Sequence, residues 1–198
     1  MITTNDELGT LCDAVRQTTA VALDTEFVRT RTYYPQLGLI QLFDGERTAL
    51  IDPLNITDWS PLQAILQDRN ITKFLHAGSE DLEVFMNTFG SMPQPLIDTQ
   101  VLAAFCGRPM SWGFAPMVAE YSGVELDKSE SRTDWLARPL TTRQCDYAAA
   151  DVWYLLPIAH KLMAETEQKG RLAWALNECQ LMQQRRQEVV DPAEAWRD

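Results

Sequence analysis

The stretch Val21-Ala-Leu-Asp-Thr-Glu-Phe27 constrains this chain more than any other: two acids, two residues apart, sit in an otherwise apolar run with no lysine or arginine beside them. Side chains of a strand alternate between faces, so Asp24 and Glu26 point one way while Val21, Leu23, Thr25 and Phe27 cover the other. Burying an ionised carboxylate without a partner costs several kcal/mol or more, so such acids protonate, pair or bind a cation. Two further stretches place an acid among apolar residues. Asp81 lies in Leu75-His-Ala-Gly-Ser-Glu-Asp-Leu82, and Asp151 lies in Tyr147-Ala-Ala-Ala-Asp-Val-Trp-Tyr154.

Strand and helix signals alternate around these acids. Leu8, Leu11, Cys12 and Val15 have helical spacing and predict a helix over residues 6–18. Residues 20–29 read as a strand, residues 37–43 as a second, and Asp44-Gly45 as a hairpin turn into a third over 48–51. Ser60-Pro61 opens a helix, with Ser60 as the capping residue and proline at the first position. Residues 72–76 form a short strand, 79–89 a helix, 96–98 a last strand, and a helix follows through about residue 105. Residues 141–169 are helical, with a bend expected at Pro157. Hairpin strands followed by alternating helices and strands indicate an α/β domain: a mixed five-stranded sheet flanked by helices.

In that arrangement Tyr147 and Asp151, four residues apart on a helix, share a face. Asp81 falls in the first turn of a helix after a buried strand. An α/β fold gathers strand ends and helix starts at one edge of its sheet, which would bring the three stretches together. Four carboxylates converging there make a site for hard divalent cations such as Mg²⁺ or Mn²⁺, which prefer oxygen ligands. Two ions roughly 3.5–4 Å apart serve phosphoryl chemistry, one activating water and the other stabilising the leaving oxygen.

Composition narrows the setting. The chain has 198 residues, enough for one domain with a sizeable core. Its N-terminus lacks the basic and apolar regions of a signal peptide, and no apolar run approaches the roughly 20 residues that span a bilayer. Cys12, Cys106, Cys145 and Cys179 are scattered, which argues against a disulfide framework or zinc site and fits a cytoplasmic protein. The net charge of −11 argues against holding nucleic acid on a broad basic surface, but not against gripping a few phosphates through metal ions. Asp191-Pro-Ala-Glu194 has the capping pattern of a new helix, yet the sequence stops at Asp198. The expectation is a fragment of a longer chain.

Asp24-Thr-Glu26, His76-Ala-Gly-Ser-Glu-Asp81 and Tyr147-x-x-x-Asp151 resemble, in order and spacing, the three motifs of the DEDD exonuclease superfamily; the tyrosine marks its DEDDy branch. The flanks Thr30-Arg-Thr-Tyr-Tyr-Pro-Gln-Leu-Gly-Leu-Ile-Gln-Leu42 and Ser129-Glu-Ser-Arg-Thr-Asp-Trp-Leu136 resemble the bacterial ribonuclease D family. The resemblance implies a ribonuclease H-like sheet and metal-dependent 3′–5′ exoribonuclease activity on tRNA precursors and other small structured RNAs, releasing 5′-monophosphates. It implies two divalent metal ions, Mg²⁺ or Mn²⁺. Asp24, Glu26 and Asp151 would hold one, Asp24 would bridge to the second, and Asp81 would support the second. Tyr147 would orient the attacking water, because a phenol with an ordinary pKa near 10 is a poor base at neutral pH. Thr25, Phe27 and Arg132 are candidate substrate contacts. Residues 1–170 are expected to form the exonuclease domain, 171–198 to be a helical linker toward a C-terminal helical domain, and the protein to be a monomer.

Other readings stand beside these. A DNA 3′–5′ exonuclease would share every metal ligand, and a silent RNA- or protein-binding module would keep the fold but lose at least one carboxylate. A glycosidase needs two acids across a sugar and no metal, and an aspartic protease would want glycine where Glu26 stands. His76 reads as a satisfied histidine at a strand end rather than a ligand. Arg29, Arg31, Lys128, Arg132 and Arg138 are candidate phosphate contacts or solvated charges. Trp112, Phe114, Trp135 and Trp153 read as core aromatics before base-stacking ones.

Overall fold

A computed structural model describes residues 1–29 and 34–190, and of Val189 and Val190 the backbone alone. Arg31, the Thr30–Tyr33 part of the first flank and the helix expected from Asp191 lie outside the described residues.

Five strands form one sheet in the order β3-β2-β1-β4-β5. β1 (Ala20–Val28) is central, pairing antiparallel with β2 (Gln36–Phe43) and parallel with β4 (Thr72–Leu75). β3 (Thr48–Ile51) is the edge beside β2, and β5 (Leu96–Asp98) the edge beside β4. The Asp44-Gly45 hairpin forms as the sequence demands: Asp44 Oδ1 accepts the N–H groups of Glu46 and Arg47, and Gly45 takes φ +97°.

Alternation along β1 divides the core. Val21 and Leu23 face α1 (Asn5–Val15), α2 (Ser60–Gln67) and α3 (Ser79–Phe89). Ala22 faces α4 (Thr99–Phe105), α5 (Phe114–Ser122), α6 (Thr142–Gln168) and α7 (Leu172–Val190). Asp24 and Glu26 continue the Ala22 face, beneath α6.

Two local expectations need correction. α1 ends at Val15, where Gln17 and Thr18 turn back onto Ala14 and Val15, instead of reaching residue 18. Ser60 is inside α2, not its cap; its N–H and hydroxyl both donate to Asp58 Oδ1. α6 spans Thr142–Gln168 with Pro157 inside it, opened by a capping box between Thr141 and Gln144. α7 packs on the sheet domain: Ala175 and Cys179 are buried, and Gln183 donates to the Pro93 carbonyl at 3.1 Å.

Candidate active site

The three acid-bearing stretches meet at one end of the sheet. Asp24 and Glu26 come from the central strand, Asp151 from the middle of α6 lying across it, and Asp81 from the first turn of α3. One carboxylate oxygen from each of Asp24, Glu26 and Asp151 lies within 4.8 Å of the others. Asp81 stands to one side of this trio, where its carboxylate accepts the Thr25 hydroxyl. Tyr147 reaches the same space one turn before Asp151. All five line a cavity of about 610 Å³.

The electrostatics follow from crowding. Burial, then the charge of Asp151, pushes the Asp24 pKa well above the usual carboxylate range. Burial, then the charge of Asp24, raises Glu26 to about 9 and Asp81 well above its ordinary value. Burial, then Glu26, raises Asp151 to about 8. Burial and the neighbouring carboxylates also raise the Tyr147 phenol, so it keeps its proton at neutral pH. Among the described residues no salt bridge reaches Asp24, Glu26, Asp81 or Asp151. An all-oxygen set that resists full ionisation and has no cationic side chain to pair with fits hard divalent metals.

Two supporting residues escaped the sequence reading. Gln41, fully buried on β2 and in register with Asp24, donates its amide to Glu26 Oε1 at 3.1 Å and to Asp24 Oδ2 at 3.5 Å. Its Oε1 is buried without a hydrogen-bond partner among the described residues. A glutamine inside the apolar run Leu39-Ile-Gln-Leu-Phe43 carried the same signal as Asp24 in β1. Asp98, 1% exposed, accepts the N–H groups of Ala77 and Gly78 at 3.0 and 2.8 Å and caps α4 through Gln100 N. Ala77 is held at φ +53°, a conformation unfavourable for a side chain, in the turn that delivers α3 and Asp81.

The remaining candidates divide. Thr25 and Phe27 line the cavity, although the Thr25 hydroxyl is engaged by Asp81. Arg132 is exposed and outside the cavity lining, because its neighbours Thr133 and Trp135 are the residues that turn inward; Trp135 is buried against Tyr147. Arg138 is no phosphate contact: it forks onto Asp52 at 3.0 Å and binds the carbonyls of Gly38 and Trp135. Arg29 pairs with Glu80 and Glu83 of α3. Lys128 and Phe114 line the cavity, Trp112 is buried, and Trp153 is half exposed. His76 is satisfied, its nitrogens 2.8 Å from Thr99 Oγ1 and from the Trp112 carbonyl, and burial lowers its pKa.

Residues 1–167 match the model of a family described as 3′-5′ exonuclease. The chain belongs to this 3′–5′ exonuclease family. Among the family's relatives, ribonuclease D of Escherichia coli K12 is 80% identical over all 198 residues, which span 53% of that protein. The crystal structure of E. coli RNase D, whose name describes an exoribonuclease involved in structured RNA processing, superposes on the whole chain and 53% of its own with a TM-score of 0.96. Brucella melitensis NrnC with bound Mg²⁺ is 29% identical with a TM-score of 0.75, over 87% of this chain and 85% of that one. The ribonuclease H-like mixed sheet is therefore the family fold. The chain spans about half the length of the curated relatives it matches first.

Proposed function

We propose that the protein is a metal-dependent 3′–5′ exoribonuclease that removes nucleotides from the 3′ ends of tRNA precursors and other small structured RNAs as 5′-monophosphates. The observation that carries this reading is the convergence of Asp24, Glu26 and Asp151 within 4.8 Å, beside Asp81 and Tyr147, in a chain of the exonuclease family. Structured RNA as substrate is supported by the E. coli relative. The protein acts in the cytoplasm as a monomer. Residues 1–170 carry the chemistry, and 171–198 lead toward a helical part that assists RNA binding.

Asp24, Glu26 and Asp151 would hold one divalent ion, Mg²⁺ or Mn²⁺, with Asp24 shared and Asp81 supporting a second. Bound ions at such a site supply an activated water and neutralise charge on the leaving oxygen. Gln41 fixes the orientation of the Asp24 and Glu26 carboxylates. Tyr147 retains its proton and orients the attacking water through its hydroxyl. Phe27 and Phe114 bring apolar surface to the cavity for the terminal nucleotide.

The test is digestion of 3′- and 5′-labelled single-stranded RNA with Mg²⁺, Mn²⁺ or EDTA, beside DNA of the same sequence. Metal-dependent release of the 3′ label as mononucleotide, with DNA spared, is the expected result. Equal cutting of DNA would leave the chemistry and overturn the substrate assignment. No cleavage with either metal would overturn the nuclease reading.

A further inference from the structure

The acids on the cavity floor repel the polyanion that the proposed reaction brings to them, so the cations around the cavity govern how the strand is held. Among its described lining residues, two carry a permanent positive charge, Lys128 and Arg143. Arg143 lies in the first turn of α6, four residues before Tyr147 and eight before Asp151, so the three share one face of the helix. At the helical rise, Arg143 is about 6 Å along the axis from Tyr147 and about 12 Å from Asp151. An arginine so placed faces backbone adjoining the bond being cut, not the scissile phosphate itself.

In the free protein its guanidinium is spent on the loop before α6. Nη2 lies 3.4 Å from Asp127 Oδ2 and 3.4 Å from Ser129 Oγ, and Nε lies 3.5 Å from Glu130 Oε1. The Arg143 and Asp127 side chains are 71% and 70% exposed. The long, solvated pair with Asp127 contributes little and exchanges readily, while the Glu130 side chain is 18% exposed and its pair with Arg143 is long at 3.5 Å. A phosphodiester offers the planar guanidinium two oxygens at once, a better match than two carboxylates at the edge of reach.

We propose that Arg143 holds a phosphate of the RNA upstream of the scissile bond, exchanging Asp127 and Glu130 for it when substrate enters. The two loop acids occupy the phosphate position in the free enzyme and compete with RNA for the arginine. The assignment rests on the exonuclease reading above and deepens it, adding a substrate-positioning residue to the metal ligands.

The experiment compares the full chain with Arg143→Gln, Arg143→Lys and the double variant Asp127→Asn/Glu130→Gln. KM and kcat are measured on a single-stranded RNA at several salt concentrations. Arg143→Gln is expected to raise KM about tenfold, the effect of losing one charge-assisted hydrogen bond, with kcat nearly unchanged. The salt dependence of log KM should flatten by roughly 0.7, the share of one phosphate contact on a single strand. Arg143→Lys should recover part of the loss, and the double variant should lower KM by removing the competitors.

Wild-type KM and salt slope in Arg143→Gln would overturn the proposal while the nuclease reading stood. A loss confined to kcat would also overturn it, assigning the guanidinium to loop architecture. If Arg143→Gln failed to fold, the double variant would decide alone: a raised KM would mean that the acids only anchor the loop. A wild-type protein that leaves RNA intact with both metals would remove the nuclease reading, and this proposal with it.

Discussion

Gln41 donates its side-chain amide to Glu26 at 3.1 Å from the neighbouring strand, and the same amide reaches Asp24 at 3.5 Å. One buried donor therefore restrains two carboxylates that charge repulsion would otherwise drive apart. Residues that orient a metal ligand are worth roughly 10–100-fold in metal affinity. Gln41→Met, close in volume but without the donor, is expected to raise the metal concentration for half-maximal activity about tenfold. Turnover at saturating metal should fall much less. A metal titration superimposable on wild type would show that the amide serves packing alone.

Burial, then the charge of Asp151, raises the pKa of Asp24, and the charge of Asp24 in turn helps to raise that of Asp81. Asp24→Asn keeps the shape and removes the charge. Turnover should drop beyond the roughly 100-fold reached by changes to residues that only support a ligand. The metal-free protein should become more stable, by about 1 kcal/mol or a melting shift of roughly 2–4 °C. Turnover at the wild-type rate would sink the site assignment; a lower melting temperature in EDTA would sink the repulsion argument.

The raised carboxylate pKa values make metal-free stability depend on pH, with a definite sign. In the unfolded chain these acids ionise near pH 4. In the folded protein they hold protons up to about 8 at Asp151 and about 9 at Glu26. The folded state thus binds more protons between these limits, so stability is full below the unfolded range and is lost as pH rises through the folded values. His76, lowered by burial, works in the opposite direction below its ordinary 6.5, and Lys73, buried and lowered to about 8, does so only above that value. The four carboxylates outweigh the single histidine. Melting in EDTA should therefore fall steadily from pH 5 to 8, and saturating Mn²⁺ should reduce the slope by replacing protons. A flat or rising profile in EDTA would contradict the cluster's electrostatics.

Gly38 passes so close to the loop after α5 that a Cβ there would lie 2.6 Å from the Trp135 carbonyl oxygen. That carbonyl is pinned, accepting from Arg138 Nη1 at 2.7 Å while Arg138 forks onto Asp52. Gly38→Ala should cost about 1–3 kcal/mol of stability, as other overpacked sites do. Because Trp135 packs against Tyr147 with ring centroids 6.0 Å apart, kcat should fall as well. Unchanged melting and turnover would mean that the loop yields freely.

Legibility in the sequence followed the range of the interactions involved. β1, the Asp44-Gly45 hairpin and β5 are set by alternation and turn chemistry, and they appear where those signals lie. No expectation covered α5, where Gly113 precedes the helix and Pro116 falls in its first turn, a position at which the missing N–H is not needed. The four candidate carboxylates could be named because each acid stood out against apolar neighbours, and Tyr147 because it lies four residues before Asp151. Gln41 stood out equally, but its meaning depends on the register that sets it opposite Asp24. Arg132 and Arg143 are both exposed cations near a motif; only the face of α6 distinguishes the one that lines the cavity.

Tyr147 shares its helical face with Asp151, and burial plus three acidic neighbours hold its phenol protonated. A phenol that keeps its proton near neutrality is better suited to orienting water than to accepting its proton. Tyr147→Phe is therefore expected to lower kcat about 10- to 100-fold, less than loss of Asp24, with metal affinity little changed. The pH dependence of kcat should keep its shape, because the ionisations that govern it belong to the carboxylates. A loss as deep as that of Asp24→Asn, or a limb of the wild-type profile that vanishes in Tyr147→Phe, would assign the phenol a proton-transfer role instead.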